Sequence, residues 1–174
     1  MQRDYQFRSA RQDDVPAIRE LLEDNDLPSD GLEDILSHSL VAEADGRLVG
    51  SISLDPRGRS GLLKFLVVES SHQGQRLGTA LSGRLINAAR LLGVEKLYLL
   101  TTTAEAFFAP AGYKVADLRT VPPEVRETED FKNMSPLNAT CMVRDIRNVP
   151  IHATRELLRA KPVVSGSRLW AVNL

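Results

Sequence analysis

What most restricts the fold of this chain is an apolar run, a glycine-bearing loop, an amphipathic stretch and a second apolar run in direct succession. "LLKFLVV" (Leu62 to Val68) is almost wholly apolar, as expected of a strand covered on both faces, and "KLYLL" (Lys96 to Leu100) has the same character. Between them Leu77, Leu81, Leu85, Ala88 and Leu92 recur by fours and threes, which predicts one face of a long helix. Gly93 stands where a C-terminal cap belongs. Strand, helix and strand in this order make a βαβ unit with parallel strands and a right-handed crossover.

The flanks add antiparallel elements. Tyr5 to Ser9 reads as a first strand, and Asp13 or Asp14 is placed to cap a helix with Pro16 in its first turn and Val15, Ile18, Leu21 and Leu22 on one face. Leu32, Ile35 and Leu36 suggest a second short helix. "LVAEA" and "RLVGSISL" flank Asp45-Gly46, a pair suited to a two-residue type I′ turn, with Leu48, Gly50, Ile52 and Leu54 expected on one face. Asp55 to Gly61 reads as a loop. Further on, Ala104 to Phe108 is a short helix ended by Pro110 and Gly112, Tyr113 to Leu118 a strand, residues 120–138 a polar connection with a helical turn at Glu124 to Glu127, and "CMVRD" a last strand. The expectation is an α/β fold of the α+β type around a mixed sheet.

Residues 1–145 are expected to form one domain and 146–174 a C-terminal extension of unassigned role. The extension holds a basic helical segment (Thr154 to Lys161), a Ser/Gly turn and "RLWAV". Covering a sheet edge, exchanging with a second subunit and terminal disorder are all compatible with it.

Bulk properties exclude several classes. A chain of 174 residues with 43% hydrophobic content can bury a core without a metal or disulfide, and its one cysteine, Cys141, rules out an internal disulfide and reads as a small buried apolar residue. A formal charge of −1 gives no footprint for nucleic acid and no polybasic membrane anchor. The polar start is no signal peptide, and no apolar run approaches a membrane span, so the cytoplasm is the expected location. His38, His72 and His152 have no metal-site spacing; His72 is placed to line the loop, and no metal is expected.

Chemistry concentrates in "LLKFLVVESSHQGQRLGTALSGRL". A buried strand enters a short loop whose Gly74 and Gly78 open a helix, and the first N–H groups of a helix lack internal partners and sit at the positive end of its dipole. Such a turn suits a pyrophosphate, with Gln75 and Arg76 available beside the anion. The P-loop and G-x-G-x-x-G patterns are both absent. "QGQRLG" after a buried strand resembles instead the Q/R-x-x-G-x-G/A motif of GNAT acetyltransferases, with Arg76 in place of the middle glycine. "EADGRLVGSISL" and "LLTTTAEAFFAPAGY" resemble that family's hairpin and second cofactor segment, and the likeness covers about residues 3 to 145. "YLLTTTAEAFFAPAGY", "VPPEVRETEDF" and "CMVRD" resemble more narrowly the arsenic-resistance-associated N-acetyltransferases, relatives of amino-acid acetyltransferases.

The resemblance implies a GNAT fold: a mixed, mostly antiparallel sheet with a central splayed parallel pair and helices on both faces. It implies acetyl-CoA as co-substrate, direct transfer of the acetyl group to the primary amine of a small amino-acid-like molecule, and a homodimer. The amides of Gln73, Gly74, Gln75, Arg76, Leu77, Gly78 and Thr79 would hold the diphosphate. The backbone of Leu66, Val67 and Val68 would hold the pantetheine arm, with Phe108 beside it. Departures are plain: Phe108 stands where many members have a general-acid tyrosine, Leu62 where some carry a glutamate base, and Thr101 where asparagine is frequent. The remaining proton-handling candidates are Thr101, Thr102 and Thr103 through water, Tyr98 and Tyr113, the tyrosines reading equally as core. Glu69 reads as a solvated loop charge. Lys64, breaking an apolar run, either reaches a cleft to receive a substrate carboxylate, with Thr102 nearby, or snorkels to solvent. A non-catalytic acyl-CoA-binding module and a protein N-acetyltransferase remain the alternatives.

Overall fold

A computed structural model describes residues 4–133 and 139–150. Within them the elements are β1 (Gln6–Ser9), α1 (Val15–Glu23), β2 (Ser39–Ala44), β3 (Arg47–Arg57), β4 (Ser60–Val68), α2 (Leu77–Leu91), β5 (Lys96–Thr101), α3 (Glu105–Phe108), β6 (Lys114–Val115), α4 (Pro123–Arg126), α5 (Glu129–Asn133) and β7 (Thr140–Asp145). One 7-stranded sheet runs β1-β2-β3-β4-β5-β7-β6. All its pairings are antiparallel except β4 with β5. The mixed α/β architecture with a central parallel pair is the one expected.

Hairpin turns set the register. Asp45 (φ 51°) and Gly46 (φ 74°) both lie at positive φ, as a type I′ turn requires. The stretch from Asp55 to Gly61 is not a loop: β3 continues through Pro56, and Gly58 at φ 64° turns the chain tightly into β4, with Arg57 opposite Ser60. The proline and glycines mark the end of a long hairpin. Gly61 packs closely there: a Cβ would stand 2.8 Å from Leu54 Cδ1 and 3.2 Å from Leu97 Cδ2, so those side chains would have to shift to admit one.

Two bulges redistribute side chains between the faces. In β3, Leu48 pairs with Glu43 and Gly50 with Ala42, leaving Val49 as an extra residue. Leu48 therefore packs with the α1 cluster while Ile52 and Leu54 join the α2 cluster, so the expected common face for Leu48, Gly50, Ile52 and Leu54 begins only at Gly50. In β4, Ser51 pairs with Val67 but Ser53 with Lys64, so Phe65 and Leu66 oppose Ile52 alone. Phe65 sits at φ 52°.

Helices cover both faces. On the first, α2 supplies Leu77, Leu81, Leu85, Ile86 and Ala89 to the main core, and α3 adds Phe108. The apolar stripe of α2 drifts from the expected line: Leu92 is 50% exposed, and Ile86 and Ala89 take the buried places. On the second face, α1 packs Val15, Ile18, Leu21 and Leu22 against Val41, Phe65 and Val67. Further along that face, Val125 of α4 packs against Leu62, Tyr98, Leu100 and Cys141.

Local differences have local causes. Asp14 precedes α1, but its carboxylate turns away from the helix to accept from Arg11 N–H (2.7 Å) and Arg8 Nη1 (2.7 Å). Arg8 also reaches Glu43 on β2 at 2.5 Å, so one guanidinium ties β1 to β2 and to the start of α1, and holds the Asp14 carboxyl below its ordinary range. Ile35 and Leu36 belong to 3-10 turns over Glu33–His38, kinked at Ile35, and Leu32 immediately precedes them. The strand expected over Tyr113 to Leu118 shrinks to Lys114–Val115, because Asp117 caps a 3-10 turn at Leu118–Thr120. Ile146 is buried, Val149 packs on the main core and its carbonyl accepts from Arg90 Nη1, whereas the basic segment and "RLWAV" fall outside the described residues.

Candidate active site

The parallel pair is joined along only Ser60, Gly61 and Leu62, opposite Lys96, Leu97 and Tyr98. Beyond Leu62 the two strands pair only outward, β4 with β3 as far as Val68 and β5 with β7 as far as Thr101. A wedge-shaped gap therefore opens between them toward their C-terminal ends. The bulge at Phe65 bends β4 where the gap begins, and Ser51 Oγ donates to the Phe65 carbonyl at 3.2 Å, fixing it. Leu66, Val67 and Val68 border the gap with buried side chains, so what they turn toward it is backbone.

At that same end β4 passes through a 3-10 turn, Ser70–His72, into the start of α2. Side chains hold this loop in place. Gln73 Nε2 donates to the Val68 carbonyl at 3.0 Å, and Gln75 Nε2 donates to the Ser71 carbonyl at 3.2 Å while its Oε1 accepts from Tyr5 OH at 2.8 Å. His72, 7% exposed, meets Tyr5 OH through Nδ1 (3.0 Å) and Glu69 through Nε2 (3.3 Å). Glu69 also receives Arg47 at 2.9 Å and Ser71 at 2.9 Å, so it is a loop strut rather than a solvated charge. Gly74 (φ 74°) and Arg76 (φ 64°) take left-handed backbone, and nothing lies within 4 Å of where a Gly74 Cβ would be. The first bond of the α2 ladder runs from Ala80 N–H to the Arg76 carbonyl, 3.0 Å, leaving the N–H groups of Leu77, Gly78 and Thr79 ahead of it. Gln73 and Gln75 thus shape the cradle with their side chains, and the cradle itself is backbone. A diphosphate fits such an arrangement, with amide donors, a helix N-terminus and open space above Gly74.

On the second face a strip of buried polar residues crosses β2, β3 and β4 between the α1 and α4 clusters: Ser39, Ser51, Ser53, Asp55 and Lys64. Ser39 and Ser53 share a hydrogen bond of 2.7 Å, and Asp55 holds Arg57 at 3.0 and 2.8 Å. Lys64, 6% exposed, neither snorkels nor stands alone: Nζ is 2.5 Å from Asp130 Oδ2 and 4.8 Å from the centre of the Phe65 ring.

The proton-handling candidates are dispersed. Thr101 Oγ1 accepts from Ala104 N–H (2.8 Å) and Thr103 N–H (3.3 Å), so it fixes the turn that leads into α3, while Thr102 and Thr103 are exposed. Phe108 is fully buried, edge-on to Phe107 (4.9 Å) and Tyr113 (5.3 Å). Burial pushes the Tyr113 hydroxyl far above its ordinary pKa, and that hydroxyl has no hydrogen-bond partner among the described residues. Burial likewise raises Tyr98, with Cys141 and Glu124 adding to it, and raises the Cys141 thiol to about 11. Sequence reasoning missed the roles of Ser51, Tyr5 and Asp130: Ser51 and Asp130 lie in segments that carry the family resemblance, but nothing in those segments singles them out. Among the described residues, no cluster of His, Cys, Asp or Glu could hold a metal and no helix is long and apolar enough to cross a membrane.

Comparison with known proteins brings a family and a set of relatives to this geometry. The pattern of the Acetyltransferase (GNAT) family matches residues 5–113. An amino-acid acetyltransferase of Ralstonia nicotianae is 30% identical over 140 residues, covering 74% of this chain and 31% of the relative. One from Mannheimia succiniciproducens is 24% identical with the same coverage, 74% and 31%. The chain thus spans about a third of the length of these curated relatives. Among solved structures, N-acetylglutamate synthase from Neisseria gonorrhoeae complexed with coenzyme A and N-acetyl-glutamate superposes with a TM-score of 0.73 at 26% identity, covering 82% of this chain and 35% of that one. A Mycobacterium tuberculosis protein in complex with CoA gives 0.69 at 26% identity, covering 80% of this chain and 98% of that one.

Proposed function

The chain belongs to the acetyltransferase (GNAT) family, and we propose that it is an N-acetyltransferase that moves the acetyl group of acetyl-CoA to the primary amine of a small amino-acid-like molecule. One observation carries the reading: the parallel strands part after Leu62 and Tyr98 at the end where the α2 amides emerge. Both halves of a coenzyme site, an anion cradle and a slot with backbone donors, therefore adjoin.

The residues divide the work. Amides from Gln73 to Thr79 receive the diphosphate, and Arg76 adds a guanidinium at the rim. The backbone of Leu66, Val67 and Val68 lines the pantetheine slot, and Phe108 packs beneath α3 beside it. Bound there, acetyl-CoA supplies the acyl group as an activated thioester. A backbone N–H at the bulge around Phe65 and Leu66 polarises the thioester carbonyl. On the other face Lys64 receives the acceptor's carboxylate, which orients its amine toward the gap. With Phe108 lacking a hydroxyl and both Tyr98 and Tyr113 weakened as acids by burial, proton transfer is assigned to solvent entering along Thr102 and Thr103.

The amino-acid class of acceptor is supported by the relatives named amino-acid acetyltransferase and by the Neisseria gonorrhoeae structure holding N-acetyl-glutamate. Arsenic-containing amino-acid mimics join it through the sequence resemblance alone, as does a homodimer; a cytoplasmic location is proposed from the polar start and the lack of a long apolar run, and residues 146–174 as a separate extension from their differing composition. The test is thiol release from acetyl-CoA with a panel of L-amino acids, arsenic-containing analogues and carboxylate-free amines, beside calorimetry of coenzyme A. Turnover confined to carboxylate-bearing amines is expected. Micromolar coenzyme A binding without turnover on any acceptor would make the protein an acyl-CoA-binding module, and absence of binding would end the assignment.

A further inference from the structure

Lys64 is held from two sides. The bulge makes consecutive residues Lys64 and Phe65 project from the same face, so the ammonium lies against its neighbour's ring, and among the described residues its carboxylate partner is Asp130. The side chains of this pair are 7% and 16% exposed, a nearly water-free contact beside the point where β4 and β5 separate.

The two partners are anchored very differently. Lys64 belongs to a central strand, in ladder with Ser53. Asp130 rides on α5, a five-residue helix outside the sheet, joined to α4 through the buried Thr128. Thr128 Oγ1 donates to the Val125 carbonyl (2.7 Å) and accepts from Phe131 N–H (3.3 Å), and Phe131 rests half-buried on the α4 cluster. Withdrawing Asp130 breaks no strand pairing. Withdrawing Lys64 would break the core.

From this asymmetry we infer that Asp130 is the specificity-determining residue of the acceptor site: its carboxylate occupies the place of the acceptor's own carboxylate on Lys64, and an acceptor enters by exchanging with it. This rests on the reading of Lys64 as the acceptor's receptor. Exchange of one carboxylate for another keeps the buried ammonium paired throughout, so its desolvation is compensated before and after. An amine without a carboxylate offers nothing in return: to enter it must leave Lys64 unpaired, and it is refused. Asp130, once released, remains near Arg57, whose guanidinium already feels it behind the stronger hold of Asp55.

Acetate serves as the probe, with thermal unfolding as readout, so the test does not depend on acyl transfer. In Asp130→Asn the internal competitor is gone, and acetate should stabilise this variant saturably with an apparent Kd at least tenfold lower than in the unaltered protein. The double variant Lys64→Met with Asp130→Met, which removes both buried charges together and is expected to fold, should show no saturable acetate effect. On the best carboxylate-bearing acceptor, Asp130→Asn should lower KM about fivefold or more with kcat nearly unchanged, and Asp130→Glu should restore the original KM. Equal acetate responses in Asp130→Asn and the double variant, or an unchanged KM, would make the pair a structural strut and overturn the inference. If no acceptor turns over while the acetate responses separate as expected, the exchange stands and the enzymatic reading falls.

Discussion

At Arg76 the backbone holds φ 64° and ψ 15°, a left-handed conformation that crowds the Cβ of any residue but glycine. The loop needs this turn, because it brings the chain from β4 into the first turn of α2 with its amides facing the gap. Arg76→Gly should therefore raise unfolding stability by about 1 kcal/mol, a shift of roughly 2–4 °C in Tm. Coenzyme A affinity should fall by less than about tenfold, since the amides stay where they were. Urea unfolding and calorimetry on one variant check both, and a loss of stability would show that the guanidinium's contacts outweigh the strain. The same residue shows what a sequence can display at this scale. The spacing of Gly74, Arg76 and Gly78 displayed the cradle, because backbone geometry demands particular residues. Side-chain partners left no such trace. Nothing in the chain marked Asp130 as the partner of Lys64, or Tyr5 as the clamp on His72 and Gln75, because those contacts join residues whose separation in sequence carries no period.

Among the elements, α2 connects sequence to function most directly. Its first residues are Leu77, Gly78 and Thr79, and the last of these occupies the third helical position, half-exposed. A carboxylate there favours the helix dipole by about 0.3–1 kcal/mol. It also stands where the proposed diphosphate would lie. Thr79→Glu should thus leave Tm unchanged or slightly raised while weakening coenzyme A by about 2 kcal/mol, roughly thirtyfold in Kd. The two effects have opposite sign, so a variant that merely misfolds cannot imitate the result. Calorimetry showing an unaltered Kd would move the anion site elsewhere. Elements with strong periodicity were legible: β4, α2, β5 and the Asp45-Gly46 hairpin all stand where apolar spacing and turn chemistry place them. The bulges at Val49 and Phe65 were not, since an inserted residue looks like any other apolar residue in a run where all are buried. Asp55 to Gly61 misleads for the converse reason, as Pro56 sits where β3 has nearly ended and its missing N–H costs little.

Over the whole molecule the sheet is two antiparallel blocks, β1 to β4 and β5 with β7 and β6, that share strand hydrogen bonds only along Ser60–Leu62. Below the gap α2 binds β2, β3 and β4 into one core, and α3 brings Phe108 to it from the β5 side. The structure thus leaves an unzipped seam through its centre, with backbone groups of β4 and β5 on each side lacking each other as partners. Such a seam costs stability unless water or a ligand satisfies it. A ligand that lies in the gap with its diphosphate on α2 touches both blocks at once, and its binding should be felt along the seam more than anywhere else. In hydrogen-exchange measurements with saturating coenzyme A, amides of Leu63 to Val68 and Leu99 to Thr101 that do not serve the β3 or β7 ladders should slow by at least tenfold, together with Gly74 to Thr79. Amides of β1 and β2, already laddered and remote from the gap, should change little beyond the global stabilisation, about 2.7 kcal/mol at a hundredfold excess over Kd. Protection confined to the α2 turn would place the diphosphate there and the rest of the coenzyme outside the sheet, leaving the thioester away from the Phe65 bulge and the acceptor on Lys64 with nothing to attack.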